Sequence, residues 1–195
     1  MGVKTSKNGD HKGLINFLCN HYAKRMHRYL KGHGETEAKK WKQEYLNMYS
    51  GLAAYEILRE NGYTAEEGIQ AYDYICLLMR KIAALAHKIM DLFPSGYEKV
   101  VKSLTDDLDG AKSVCWTTEV VEHSSDKFEY KIHTCLYYDV CKEHGYPEFT
   151  AVFCNHDHWA FGVLHRHVRF ERYGAIGDGD SCCHDVFYRV KKGEN

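Results

Sequence analysis

Residues 151–167 read AVFCNHDHWAFGVLHRH and set one cysteine, four histidines and one aspartate around a short apolar run. Thiol, imidazole and carboxylate close together suit nucleophilic chemistry. A thiolate attacks, a neighbouring base moves the proton, and a carboxylate orients the base. Asn155 and Asp157 are both good N-cap residues, and HWAFGVLH behind them can form two or three helical turns. On that reading Cys154 lies just outside the first turn, where unpaired N–H groups and the positive end of the helix dipole favour a thiolate. His156 and His158 stand ready to add positive charge or accept a proton, and Asp157 to orient an imidazole.

A second concentration is GDGDSCCHD at 177–185, a glycine- and aspartate-rich turn leading through Cys182, Cys183 and His184 into the last strand-like segment. Cys135 ends one strand-like run and opens a helical one. Three separated thiol positions at strand ends and helix starts are what a site on one rim of a sheet would show. Cys135, Cys154, His156, Cys182, Cys183 and His184 are also soft ligands, and a tetrahedral metal site needs four. Zinc or iron fits such donors, although no C-x-x-C pair or finger spacing calls for either and the sequence requires no cofactor. Cys19, Cys76, Cys115 and Cys141 read as packing thiols, His165 and His167 as surface or capping residues, and Tyr137 and Tyr138 as half-buried packing.

The elements that must hold these groups follow from periodicity and punctuation. Residues 1–10 read as disordered. Apolar residues at spacings of three and four predict a helix over 11–30, and GHGE at 32–35 breaks it. A second helix runs to Glu60, with Gly62 as its C-terminal cap. Thr64 and Glu67 form a capping box for a third. Ile75, Leu78, Ile82, Leu85 and Ile89 along it make an apolar stripe that must pack on a core or on another copy. Pro94 stops that helix, and Ser95 and Glu98 open a fourth to about Leu108.

From 113 the texture changes. VCWTTEVVEH and KFEYKIHT predict a hairpin about SSD, CLYYDVCKEHGYPE a helix closed by Gly145 and Pro147, and VRFERYG and HDVFYRVKK two further strands. The fold class is α+β: a helical N-terminal half packed on an antiparallel β-sheet with inserted helices. Residues 11–195 read as one domain, helical over 11–108 and sheet-forming over 113–192.

Composition narrows the partners. The 195 residues can bury a real core. A formal net charge of −1 gives no reason to expect nucleic acid or an anionic membrane. The start MGVKTSKNGDHKG is polar and unlike an export signal, and its Gly2 and Ser6 fit the loose N-myristoylation pattern. No apolar run reaches membrane-spanning length. Eight cysteines without an export signal point to reduced thiols and a cytoplasmic protein. The expected partner is a small-molecule substrate, with homo-oligomers open.

YLNMYSGLAAYEILRENGYTAEEG, then Cys135 after the hairpin, CNHD at 154–157 and VRFERYGAIGDGDSCCHDVFYR at 168–189 together resemble the L-2-amino-thiazoline-4-carboxylic acid hydrolase family, most clearly over 113–190. The family pattern corresponds to Cys135, to Cys154 with Asp157, and to Gly179 and Asp180 followed by a cysteine before Phe187. Cys183 keeps that last spacing better than Cys182. The resemblance implies hydrolysis of a small sulfur- and nitrogen-containing ring. Cys154 would attack, Asp157 or His156 would move the proton, Cys183 or His184 would protonate the leaving group, and Arg169 or Arg172 would grip a substrate carboxylate. CCHD departs from the pattern by an extra cysteine and a histidine. Two other readings use the same residues: a metal- or small-molecule-binding sensor without turnover, and a redox sensor cycling Cys182 and Cys183.

Overall fold

The computed structural model describes residues 21–22, 24–27, 29, 42–111 and 115–191. The expectations for residues 1–20, including Gly2 and Cys19, and for the GHGE break lie outside them. The chain separates into two compact units that divide between Ile75 and Cys76. Among the described residues, no helix is long and apolar enough to cross a membrane.

In the first unit, helix α1 (Lys42–Glu60) is buried throughout residues 51–58, and Met48, Leu52, Tyr55 and Leu58 are out of contact with water. Described residues between 21 and 29 are helical. Arg25 and Tyr29 bind the buried Glu56, the Arg25 contact at 2.6 Å. The predicted caps are present. Gly62 takes φ +89° and donates its N–H to Arg59, and Tyr63 N–H reaches Leu58 O at 3.2 Å. Thr64 and Glu67 then exchange backbone-to-side-chain hydrogen bonds of 2.9 and 3.2 Å, opening helix α2 (Ala65–Asp91).

The second unit holds the remainder of α2, helix α3 (Gly96–Ala111) and a four-stranded antiparallel sheet. Strands β1 (Trp116–His123) and β2 (Lys127–Cys135) form the hairpin. Helices α4 (Leu136–Glu143) and α5 (Thr150–Phe161) follow, then β3 (Val168–Gly174) and β4 (Cys183–Arg189). The strand order is β1-β2-β4-β3. This is the α+β arrangement the sequence predicts.

Register aligns the side chains of the inner face in rows. Phe128, Phe187 and Phe170 lie opposite one another across β2, β4 and β3. Tyr130, Asp185 and Arg172 form the next row, and Ile132 beside Cys183 the next. The aromatic row joins Tyr97, Val100, Val101 and Leu104 of α3 and Phe161 of α5 in the main core. A charged row therefore lies between packed rings on one side and thiols on the other.

The aliphatic stripe on α2 faces solvent: Leu78 is 68% exposed and Leu85 57%. The core-facing side of the helix instead uses Ala83, Met90 and His87, whose ring meets Phe161 edge-on at 4.7 Å. Periodicity locates an apolar face; it does not say which of two faces the core takes.

Asp91 ends α2 and anchors the loop before β3. Its carboxylate accepts four backbone N–H bonds, from His165, Arg166, His167 and Val168, at 2.7–2.9 Å. His167 Nδ1 lies 2.8 Å from the Asp91 carbonyl oxygen. The loop wraps the carboxylate close to the molecular surface and leaves it 2% exposed. Burial alone would raise its pKa, but the four N–H donors outweigh that and hold it below the ordinary value. A depressed folded-state pKa stabilises the protein above the unfolded value, about pH 4. That contribution disappears as pH falls through the folded value. Asp91→Asn is expected to lower stability by about 2–4 kcal/mol at neutral pH, measured by urea denaturation, with the gap from wild type closing below about pH 3. A gap that persists unchanged into acid would show that the carboxylate charge is not what holds the loop.

Candidate functional site

Three cysteines meet where the rim of the sheet passes under α4 and α5. Cys135 ends β2 and is the N-cap of α4, Cys183 opens β4, and Cys154 projects from α5. Cys135 and Cys183 are buried and cluster with Ala175 and Ile176, with Cys154, Trp116, Ile132 and Tyr137 packed against them. Tyr137 meets Trp116 edge-on at 6.0 Å and Phe153 at 4.7 Å, which closes the corner with rings.

Each sulfur is approached by N–H groups. Ile176 donates to Cys183 Sγ at 3.3 Å. The Gly177 N–H favours the Cys154 thiolate. Cys135 forms no side-chain capping bond to α4, but the Tyr137 and Tyr138 N–H groups and the Trp116 indole lie close enough to favour its thiolate. Ile176 and Gly177 belong to the short 3-10 turn Ile176–Asp178. Asp180 closes that turn by accepting the Ala175 N–H at 2.9 Å. A Cβ at position 177 would lie 2.6 Å from Cys154 Sγ, so only glycine lets the turn come this near the thiol.

Beside the thiols lies the charged row. Arg172 donates from Nε and Nη2 to Asp185 at 2.6 and 2.9 Å, from Nη2 to Asp157 at 2.7 Å, and from Nη1 to the Cys154 carbonyl at 2.9 Å. Tyr130 donates to Asp185 at 3.0 Å. Burial opposes the Arg172 charge, but the two carboxylates more than restore it and leave the guanidinium pKa raised. Tyr130, pushed far up by burial and by Asp185, stays a phenol.

Asp157 differs from its neighbour. Asp185 is 1% exposed, whereas the Asp157 side chain keeps 42% of its surface open. Burial raises its pKa above the ordinary carboxylate value, and Arg172 only partly offsets that.

The thiols depart from expectation. Burial pushes Cys154 up to about 12, with Cys183 and Cys135 adding to the rise, and Cys183 up to about 11. Burial raises Cys135 as well. The thiolate expected at a helix N-terminus is thus corrected, because α5 begins at Thr150. Neither Asn155 nor Asp157 caps the helix, and Cys154 sits in its second turn. The Thr150, Cys154, Asp157, His158, Phe161 spacing is that of one helix face. Cys154 and Asp157 meet Arg172 there, and His158 and Phe161 meet Phe170.

The other candidates separate. His184 alternates with Cys183 and Asp185 along β4, points to the opposite face, and lies 2.7 Å from Glu129. Arg169 lies on that opposite face too, over the Tyr188 ring at 4.9 Å. The Arg172 fork is committed to Asp185 and Asp157, and Arg169 stands across the sheet from the thiols. Cys182 precedes β4 and is half-buried. His156 is half-buried on α5, near enough for its charge to act on Asp157 and His87. Among the described residues no group of three or more His, Cys, Asp or Glu is arranged to hold a metal. The six soft ligands named from the sequence cannot form one set, because His184 lies across the sheet from Cys183.

Sequence reasoning missed Asp185 and Tyr130. Alternation was the available signal. Asp185 is two residues from Cys183 and therefore shares its face. A separate cavity of about 450 Å³, lined by Tyr97, Thr105, His123 and Arg189 among others, contains no cysteine, so the candidate site rests on converging side chains rather than on cavity size.

A sequence profile described as L-2-amino-thiazoline-4-carboxylic acid hydrolase matches residues 15–187. No curated protein and no solved structure matches the chain. The profile spans both units and includes the three thiols, Asp157 and Arg172, and the chain belongs to the L-2-amino-thiazoline-4-carboxylic acid hydrolase family.

Proposed function

We propose that this protein hydrolyses a small ring in which one carbon lies between sulfur and nitrogen, 2-amino-thiazoline-4-carboxylate or a related cyclic amidine. The observation that carries this reading is the convergence of Cys135, Cys154 and Cys183 beside an Asp157 held by Arg172. Family membership supports hydrolysis of this kind.

Cys154 is the nucleophile. Its thiol is neutral at rest, so the proton must leave as the sulfur attacks. Sγ adds to the ring carbon while the thiol proton passes to the ring nitrogen. The ring carbon–sulfur bond then breaks, and the departing sulfur takes a proton from Asp157. Water adds to the amidine carbon now bound to Cys154 and returns a proton to Asp157. The carbon–Sγ bond breaks, the remaining proton restores the thiol, and a carbamoyl-cysteine type product leaves. The raised pKa of Asp157 suits a group that must donate a proton before it accepts one. The Gly177 N–H steadies negative charge on Cys154 Sγ as it leaves. Cys135, Cys183 and the surrounding rings provide an apolar wall against stray water.

One observation favours a second reading. Buried thiols with raised pKa values are usually unreactive, as in a module that binds the same heterocycle without turnover. With 2-amino-thiazoline-4-carboxylate as assay substrate, Cys154→Ala and Cys154→Ser are expected to lower kcat by roughly a thousandfold or more, while calorimetry still registers binding. Full turnover by Cys154→Ala would exclude covalent catalysis. Wild-type binding without product would favour the binding module.

The acid role of Asp157 has its own signature. The required form is protonated, so kcat/KM is expected to fall as pH rises through a value above the ordinary carboxylate range. Asp157→Asn should remove that limb and cost on the order of 10²–10⁴ in rate. An unchanged pH profile in Asp157→Asn would remove it from proton transfer.

A further inference from the structure

We propose that the exposed stripe of α2 is a parallel, two-stranded coiled-coil seam through which two copies of this chain pair. Ile75, Ile82 and Ile89 recur every seven residues, and Leu78, Leu85 and Leu92 follow each by three. Over residues 75–92 isoleucine fills each a position and leucine each d position, the combination that favours parallel dimers, while Gly68 and Ala71 hold those positions in the heptad before it. All six are at least 38% exposed. The helix reaches Asp91, and Leu92 continues its last turn by donating its N–H to Ile89 at 3.2 Å.

The neighbouring positions agree. Met79 and Phe93 occupy e positions and are also exposed. Lys81 and Lys88 occupy g positions and are exposed. In a parallel pair, g faces e of the following heptad, which sets Lys81 against Ala86 and Lys88 against Phe93 of the second copy. An antiparallel pair would bring the lysines against one another. Charge therefore selects the same orientation as the Ile and Leu pattern. The opposite side of the helix is already committed to its own core through Ala83, His87 and Met90. A second apolar face on such a helix has no use within that core.

Area supports a second copy. The six seam residues with Met79 and Phe93 are on average about half exposed, and at roughly 150 Å² for each large side chain they present on the order of 600 Å² per copy. A specific interface buries about 600–1,000 Å² per partner. Self-pairing also supplies the matching surface, because the facing helix must present large apolar residues at the same 3-4 spacing. The N-terminal helical residues Arg25 and Tyr29 are engaged with Glu56 of α1.

The 195-residue chain is expected to run in light scattering at twice 22.6 kDa at micromolar concentration. Leu85→Glu should shift it to 22.6 kDa and raise the dissociation constant roughly a hundredfold or more. Because position 85 is exposed in the single chain, its far-UV spectrum should not change. Leu78→Lys, at the most exposed seam position, provides the same test should Leu85→Glu fold poorly. Orientation is read with Ile89→Cys, which under mild oxidation should yield a disulfide joining position 89 of one copy to position 89 of the other, identified as a cross-linked peptide pair by mass spectrometry. A monomeric wild type would overturn the proposal, as would two folded charge variants that keep the doubled mass. A dimer that never forms this symmetric link would overturn the parallel seam.

Discussion

Arg172 is the tie on which the candidate site depends. It lies on β3, yet two of its four hydrogen bonds reach α5, through the Cys154 carbonyl and the Asp157 carboxylate. The other two hold Asp185 on β4. A buried guanidinium is costly alone, and here Asp185 pairs with it while Asp157 accepts a further hydrogen bond from it. Loss of one partner from such a cluster typically costs about 3–5 kcal/mol, because a desolvated charge is left behind. The position of the Cys154 thiol over the sheet is therefore set by electrostatics as well as by packing.

The asymmetry between the two aspartates follows from their places around that cation. Asp185 lies in register between Tyr130 and Arg172, accepts three hydrogen bonds and is sealed from water. Asp157 comes from the helix above, is tied to the guanidinium at 2.7 Å, and opens to solvent. One carboxylate is thus sealed into the row, and the other reaches the surface beside the thiols. Two like residues acquire different surroundings because one is a sheet residue in a row and the other a helix residue at a rim.

Much of this was legible in the sequence where local chemistry dictates structure. Gly62, Thr64 with Glu67, the SSD turn and Gly145 mark boundaries that lie in the backbone and its nearest hydrogen bonds. Cys135 at a helix start is equally local. The start of α5 was not legible that way. Asn155 and Asp157 are strong capping types, but Pro147 and the aromatic packing of Phe149 and Phe153 begin the helical path earlier, and tertiary contact overrides cap preference. The consequence is chemical as well as geometric, since it removes the dipole argument for a low thiol pKa. Arg172 was singled out from sequence without its partners, because they lie 13 and 15 residues away and meet it only through strand register and helix placement.

Helix α2 shows the same limit from the other side. Its clearest sequence pattern, isoleucine and leucine in heptads, is turned outward, while the face that builds the second unit uses Ala83, His87, Met90 and Asp91. That inner face is mixed in size and polarity because it has several specific tasks: a ring contact with Phe161, a gap filled against the core, and a loop held by one carboxylate. A repetitive outer face has a simpler task, since matching a copy of itself requires only that each layer be uniform. Regularity marks symmetry, and irregularity marks a core built from unlike elements. On α2 the two occur on one helix, and His87 on the inner face lies within electrostatic reach of Asp157. The helix that carries the outward heptads therefore also contributes a ring beside the thiol site's carboxylate.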